Sequence, residues 1–568
     1  MGKKNQIGLI LVGLMLCVLY EVIVYSTNNF AIPTDYFSRH ILYWFHLNEI
    51  QSYVWKTFLL LPLIFLVSIL VTRKKINLDF TLDKFHPFIL GAFVVISMLL
   101  LILSIKFVFH GTEITDDENT FDFQALTLCE NKLVNSPPPT VGNFRNIFMI
   151  NNGAKWIGLY TVGHPLIIAG GILLGNRYLL TIVLSISLII IIYLIGKELY
   201  DKKTALVASL IIFTSPFFYF MSSTRLSHTS SAFFLSLSIL FFIKARKHEN
   251  IRMQHVLLFL SGFSIGYAFN IRQLTAVCFF LPLFIGMLFE VIKMPKDIFK
   301  IFIPFCIGGG IPFFFTLWYN VTITDNPILF PISFYDPLIH YGFGAYGHNA
   351  LLGFQNMLLN LLRLNIWFMG IPISLLYVFL MLFAPQKKED KFLFSIIACT
   401  FIGYFFYYFP GIGDVGPVYY YETIIPLSLL SARGIFYLKD HLPFTLEKSK
   451  TFLTAFILVG LMVSVGTFYS EKIAHIQRLT DAIQKPYKVI EDAQIQNAIV
   501  FMKDIPPRGW VRGLRNPSPT LDDDVLICLY ADSLSNHQLV SHFPNRVPYI
   551  EYYDSDKKQY ILEPFESR

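Results

Sequence analysis

Charge is what this sequence has least of. Of its 568 residues only 15% are Asp, Glu, Lys or Arg, against 54% hydrophobic and 16% aromatic, and the mean hydropathy is +0.56. Soluble domains carry about 25% charged residues, so a chain this poor in charge cannot coat a globule of its size and its apolar segments must face lipid. Cysteine is scarce too. The six (Cys17, Cys129, Cys278, Cys306, Cys399 and Cys528) are scattered, with no CxxC and no Cys/His spacing of the kind that holds zinc or runs thiol chemistry. Cys129 and Cys528 both fall in segments placed outside the membrane below, which leaves a disulfide between them open. Heptads and low-complexity tracts are missing, which excludes a coiled coil. The net charge of +7 would suggest nucleic acid in a soluble protein. Here the basic residues sit in short clusters between apolar runs, so membrane topology explains them and no nucleic-acid partner is expected.

A bilayer crossing needs roughly 20 apolar residues. About thirteen such runs are present, beginning near residues 6, 54, 88, 177, 204, 228, 255, 274, 300, 365, 391, 421 and 450. The first follows the short basic stretch Met1 to Asn5 without a small-residue cleavage site, and reads as a retained span. If all thirteen cross, the clusters Lys3/Lys4, Arg73/Lys74/Lys75, Lys197/Lys202/Lys203, Lys244/Arg246/Lys247, Lys293/Lys296/Lys300, Lys387/Lys388/Lys391 and Lys439/Lys448/Lys450 fall on one side. The positive-inside bias makes that side the cytoplasm. The expectation is an all-α polytopic protein of the plasma or inner membrane, with a cytoplasmic N-terminus. It divides into two leading spans (1–87), a transmembrane core (88–468) and a small extracytoplasmic α/β unit (469–568). The last contains the strand-like Val525-Leu526-Ile527-Cys528-Leu529-Tyr530.

The outer side holds long polar segments, at about 111–176 and 320–364, and loops of such length are usually functional. The first opens Thr115-Asp116-Asp117-Glu118 just after a span. Acids at this place suit the positive end of a helix dipole. They are equally candidates for a general base, or for a pair that holds a divalent metal such as Mg²⁺ or Mn²⁺. The same segment closes on Gly163-His164-Pro165, where His164 is either interfacial or a substrate contact. Arg225, with His228, and Arg272 interrupt apolar stretches at outer helix ends. They either snorkel to the surface or clamp a phosphate, which the guanidinium fork fits. A shorter loop reads Gly413-Asp414-Val415-Gly416-Pro417-Val418-Tyr419-Tyr420-Tyr421-Glu422. Its tyrosines serve an interfacial belt or the floor of a sugar site, with Tyr419, Tyr420 and Glu422 as substrate contacts.

These residues together resemble the membrane glycosyltransferases of the GT-C superfamily. The resemblance rests on the outer-loop acids, Gly163-His164-Pro165, the stretch Gly196-Lys197-Glu198-Leu199-Tyr200-Asp201-Lys202-Lys203, Thr214-Ser215-Pro216 and the Arg225/His228 turn. It is closest to the family 39 type (protein mannosyltransferase, aminoarabinose transferase) and covers about residues 88 to 290. The later Asn326-Pro327, Tyr335-Asp336-Pro337, Gly342-Phe343-Gly344 and Ser431-Ala432-Arg433-Gly434 resemble a poorly characterised prokaryotic branch, in which Arg often stands where this chain has Val418. The resemblance implies a polyprenyl-phosphate sugar donor, an extracytoplasmic acceptor on glycan, lipid or protein, and inversion at the anomeric carbon. Carried onto this sequence, it makes Asp117 or Asp116 the base, with Glu118 beside them, and places Arg272 on the lipid phosphate. The rival expectation is a transporter or flippase of lipid-linked saccharides, which would want charges near the bilayer midplane and inverted repeats. Here the charges sit at helix ends and no repeat is evident.

Overall fold

The computed structural model describes residues 60–73, 82–293, 298–371, 373–503 and 514–565, together with Glu49, Ser52, Tyr53 and Lys56. The span expected from residue 6 lies outside the described residues, as does Cys17. The chain is dominated by helices: α1 (Leu82–Phe107), α2 (Asp116–Cys129), α3 (Gly163–Leu173), α4 (Leu179–Leu199), α5 (Lys202–Phe213), α6 (Pro216–Ser222), α7 (His228–Lys247), α8 (Ile251–Phe269), α9 (Gln273–Lys293) and α10 (Ile298–Thr324). After them come α11 (Ala350–Trp367), α12 (Lys388–Phe405), α13 (Ile424–His441), α14 (Leu446–Val463), α15 (Ser470–Asp492) and α16 (Ser533–His542).

Among the described residues five helices are long and apolar enough to cross a membrane, and six if the bent pair α5–α6 is one broken span. That is fewer than the thirteen expected. Among the described residues helices lie along most of the other expected runs, but the run from about 365 holds only a five-residue helix, Leu376–Leu380, and several helices carry polar side chains inward. α11 falls almost wholly within the segment 320–364 that was expected to be a loop, with Asn356, Asn360 and Arg363 buried on it, and α12 buries Asp390 and Thr400. Such helices are shielded by their neighbours and need not be apolar all round. The bend of 58° falls at Thr214-Ser215-Pro216. Ser215 caps α6, accepting from the Phe218 N–H at 3.3 Å, and donates to the Phe368 carbonyl at 2.6 Å. Pro216 takes the first helical position, where its missing N–H is harmless.

The first outer segment is more structured than a loop. α2 occupies its start, and a two-stranded hairpin pairs Met149–Asn151 with Trp156–Gly158. The tail forms a four-stranded sheet of β1 (Ala498–Met502), β2 (Val525–Leu529), β3 (Val547–Asp554) and β4 (Gln559–Pro564), in the order β2-β1-β3-β4. β1 is parallel to both neighbours, and β3 and β4 are antiparallel. This unit docks on the first outer segment through a shared core of Phe123, Phe144, Met149 and Trp156 with Ile499, Phe501, Leu526, Cys528 and Leu539. Asn143 adds hydrogen bonds to the Leu529 carbonyl (2.9 Å) and Asn536 (2.7 Å). The sequence boundary at 469 falls inside continuous helix, because α14 runs through a π-helical turn, Ser464–Tyr469, straight into α15. Cys129 and Cys528 are both free thiols, so the disulfide left open between them does not form. Cys528 points into the sheet core, toward the Val500 carbonyl.

α8 and α10 pack backbone to backbone. A Cβ on Gly262 would lie 2.0 Å from the Phe305 carbonyl oxygen, and one on Gly308 2.0 Å from that of Phe259. Between membrane helices such small residues let dispersion contacts act at close range. Gly308→Val should force these helices apart and destabilise the fold by about 1–3 kcal/mol or more, read as a lowered melting temperature of the protein in detergent.

Candidate active site

The acids of the first outer segment form the opening turn of α2. Thr115 is its N-cap and accepts from the Glu118 N–H at 3.4 Å. Glu118 reaches back, one oxygen accepting from the Ile114 N–H (3.0 Å) and the Thr115 hydroxyl (3.4 Å). Its other oxygen accepts from the Arg225 N–H at 2.8 Å. Both oxygens are thus committed, and Glu118 is a strut between α2 and the turn before α7 rather than a reacting acid. Burial pushes its carboxyl up to about 7, against the pull of Arg225. Asp116 is buried at 2% exposure. Asp117 alone of the three retains accessible surface. It accepts a hydrogen bond from the Tyr160 hydroxyl. Burial raises its pKa, while Tyr160 and the charge of Arg272 act in the opposite sense.

Arg225 does not face an open anion site. Its side chain is fully buried. Nε donates to Asp122 Oδ1 at 2.9 Å, Nη2 pairs with Asp122 Oδ2 at 2.9 Å and with Glu113, and Nη1 donates to the Tyr178 hydroxyl. Arg177 also reaches Asp122 (2.9 Å), and Arg515 of the C-terminal unit reaches Glu113 (3.5 Å). Fully buried among these partners, the guanidinium presents no exposed face to a lipid phosphate, and its surroundings favour a structural role over the phosphate contact expected of Arg225. His164 is similarly engaged. Nδ1 meets Ser230 Oγ at 3.0 Å and Nε2 meets the Arg225 carbonyl at 2.7 Å, with the ring packed edge-on to Phe121. With both nitrogens used inside the protein, His164 positions the Arg225 turn instead of touching substrate.

Arg272, at the junction of α8 and α9, is the cation that keeps an open side. Nη1 donates to Ser227 (3.3 Å) and Nη2 to Tyr404 (3.2 Å), and the guanidinium lies 5.2 Å from the Tyr419 ring centroid. Nε faces Glu422 Oε1 at 3.5 Å, an ion pair without a hydrogen bond. The side chain is 17% exposed. Glu422 is fully buried behind it and also meets His228 Nδ1 at 3.4 Å. Glu422 and His228 therefore back Arg272 from the protein side. Tyr419 stacks on Tyr404 at 4.8 Å between centroids. Tyr420 points the other way, against Phe401 at 4.5 Å, and is 2% exposed, so it belongs to the core rather than to a sugar floor.

The structure thus brings Asp117 and Arg272 into one electrostatic neighbourhood, with Tyr160, Tyr404 and Tyr419 around them. Among the described residues no three His, Cys, Asp or Glu side chains converge, and the Asp116/Asp117 pair has no third donor of these types. Sequence reasoning missed Glu113, Asp122, Tyr160 and Tyr404. Asp122 lies five residues beyond Asp117, and only the fold reveals that its carboxylate answers Arg225.

Removing one partner of a buried ion pair strands the others at about 3–5 kcal/mol. Arg225→Met should therefore leave Asp122 and Glu113 with only the part-exposed Arg177 and Arg515 as partners and lower the melting temperature sharply. Glu118→Gln, which keeps the shape and one acceptor of the strut but loses the other backbone hydrogen bond, should lower it less. Thermal unfolding of the purified variants compares the two.

No curated protein matches the sequence. Residues 166–319 match the family described as dolichyl-phosphate-mannose-protein mannosyltransferase, a stretch that holds Arg225, His228 and Arg272 but starts after Asp117. Among solved structures the chain is similar to ArnT from Cupriavidus metallidurans in the apo state. The TM-score is 0.53 at 11% identity, covering 82% of this chain and 93% of that one. It is similar also to the same organism's ArnT bound to undecaprenyl phosphate, with a TM-score of 0.52 at 9% identity, covering 83% of this chain and 97% of that one. At these identities the likeness is one of fold, and it extends over nearly the whole of both ArnT chains. The chain thus shares the fold of ArnT over most of its length, and residues 166–319 are similar to the mannosyltransferase family.

Proposed function

We propose that this protein transfers a sugar from a polyprenyl-phosphate donor to an acceptor hydroxyl on the extracytoplasmic side of the cell membrane, with inversion at the anomeric carbon. The observation that carries the reading is that Asp117 and Arg272, each only partly buried, lie close enough for their charges to interact, with Tyr160, Tyr404 and Tyr419 beside them. The undecaprenyl phosphate bound by an ArnT of the same fold supports a donor of this class. About thirteen spans, a cytoplasmic N-terminus and an outer C-terminal unit complete the proposal.

Asp117 Oδ2 takes the proton from the acceptor hydroxyl, while Tyr160 holds Oδ1 and orients the carboxylate. The acceptor oxygen forms its bond to the anomeric carbon as the bond from that carbon to the phosphate oxygen breaks. The departing polyprenyl phosphate gains charge, which Arg272 offsets in a partly desolvated site where such an interaction is strong. Glu422 and His228 hold Arg272 from behind, so the guanidinium needs little reorganisation when the charge develops. A pKa above the ordinary carboxylate value makes Asp117 a better base, provided the pH stays above that pKa.

Asp117→Asn should leave the protein folded and inserted while lowering transfer by roughly 10²- to 10⁴-fold, the usual contribution of a general base. The assay follows label from a panel of radiolabelled undecaprenyl-phosphate sugars. Turnover like that of the unmodified protein would remove Asp117 from the mechanism. Deprotonated Asp117 is the active form and its pKa is raised. Activity should therefore fall as pH drops through a value above the model-peptide figure of about 3.9. That acid limb should vanish from the residual rate of Asp117→Asn.

A further inference from the structure

The proposed reaction leaves the chemical class of the acceptor open, and a run of tyrosines beyond Arg272 bears on it. From Tyr404, stacked on Tyr419, the rings continue through Tyr407, which lies 5.6 Å from Tyr419, 5.1 Å from Tyr408 and 5.4 Å from Tyr341. Tyr346 lies 5.0 Å from Tyr408. Exposure rises outward. Tyr404 is 6% exposed, Tyr407, Tyr408 and Tyr419 are part-exposed, and Tyr341 is 55% exposed. The inner end adjoins the acid, because Tyr160, the hydrogen-bond partner of Asp117, is within electrostatic range of both Tyr419 and Tyr407.

Three features limit what this run can hold. Among the described residues no hydrogen bond ties the phenol of Tyr407 or Tyr419 to the protein, although both rings are packed in place. A prenyl tail would leave those hydroxyls without partners and shut from water, which is unfavourable. The main chain, by contrast, is already used. Tyr341 and Tyr407 form an antiparallel bridge, and the Gly342 N–H donates to the Phe406 carbonyl at 2.8 Å, so an extended peptide finds no strand edge to pair with there. Charge meets the run at its two ends, as Arg272 inside and as Asp336 outside, where the Tyr346 hydroxyl donates to it. A carboxylate at the outer end disfavours an anionic acceptor. Amphipathic rings with hydroxyl tips suit a ligand that offers both C–H faces and hydroxyls.

We propose that this tyrosine run is the acceptor subsite and that the acceptor is an uncharged saccharide, its rings lying on the phenol faces and its hydroxyls bonding to Tyr407 and Tyr419. The proposal rests on Asp117 being the base at the inner end.

The test uses the full-length protein in lipid nanodiscs and saturation-transfer NMR. The probes are mannotetraose, cellotetraose and the N-acetylglucosamine tetramer, with a Ser/Thr-containing hexapeptide alongside. Undecaprenyl phosphate binding is measured separately. At least one tetrasaccharide should bind and the hexapeptide should not. Tyr407→Phe, which removes only the hydroxyl and keeps the packing, should weaken that binding about fivefold, as the loss of one neutral hydrogen bond does. Tyr407→Ala should weaken it about tenfold or more, since the ring face goes too. Both variants should keep the affinity for undecaprenyl phosphate. The proposal is overturned if the hexapeptide binds in place of the saccharides, if no tetrasaccharide binds while undecaprenyl phosphate does, or if saccharide affinity is unchanged in both variants. Failure of the unmodified protein to bind undecaprenyl phosphate would instead sink the donor assignment, and the saccharide measurements would still decide this proposal.

Discussion

A single buried guanidinium organises the region around α2. Arg225 draws Asp122 from α2, Glu113 from the segment before it and Tyr178 from the start of α4 onto one centre. Its own backbone N–H and carbonyl then bind Glu118 and His164. Taking so many charges out of water is expensive, and the arrangement holds only because nearly every lone pair and proton finds a partner. The result fixes the direction of the first turn of α2, and with it the place of Asp117. Arg515 of the C-terminal unit reaches Glu113 from the other side. The tail is therefore part of the frame that holds the acid, and not an appendage.

The two outer arginines divide the work by what surrounds them. Arg225 is enclosed by acceptors and presents no exposed face to a ligand. Arg272 is backed by Glu422 through an ion pair without a hydrogen bond and is flanked by Tyr404 and Tyr419, so an anion arriving from the open side meets a cation that is aimed but not saturated. The acids divide in the same way. Glu118 spends both oxygens on the frame, whereas Asp117 has one oxygen on Tyr160 and keeps accessible surface. Neighbouring residues of one type thus carry opposite roles, set by whether the protein itself supplies their partners.

That division explains what could be read from the sequence. Low charge and long apolar runs placed the chain in the membrane, and helices lie where most of those runs begin. The helix α11 was not legible, because it lies in a segment read as a loop and buries Asn356, Asn360 and Arg363 against neighbours that hydropathy cannot see. The strand in the tail was legible from the run Val525 to Tyr530, most of which is β2. Its docking on α2 was not, since the shared core joins Phe123 to residues almost 400 positions away. At the site, position alone marked Asp117 and Arg272 as charges at the ends of apolar segments. The same signal marked Glu118, Arg225 and His164, whose partners are internal. A sequence shows that a costly group is present, and only the fold shows whether its partner is protein or is still to arrive.

The unbroken helix from Leu446 to Asp492 gives the molecule a mechanical property as well. Its amphipathic half runs past the end of α1, where Gln477, Thr480 and Gln484 bond to the backbone at Phe107, Val108 and His110. A helix turns about 100° per residue, and the π-helical turn at Ser464–Tyr469 takes up one extra residue within that rotation. The azimuth of the outer unit about this rod is therefore written into a six-residue stretch, and the chain acts as its own torsional spacer between the lipid-embedded bundle and the face that carries the acid.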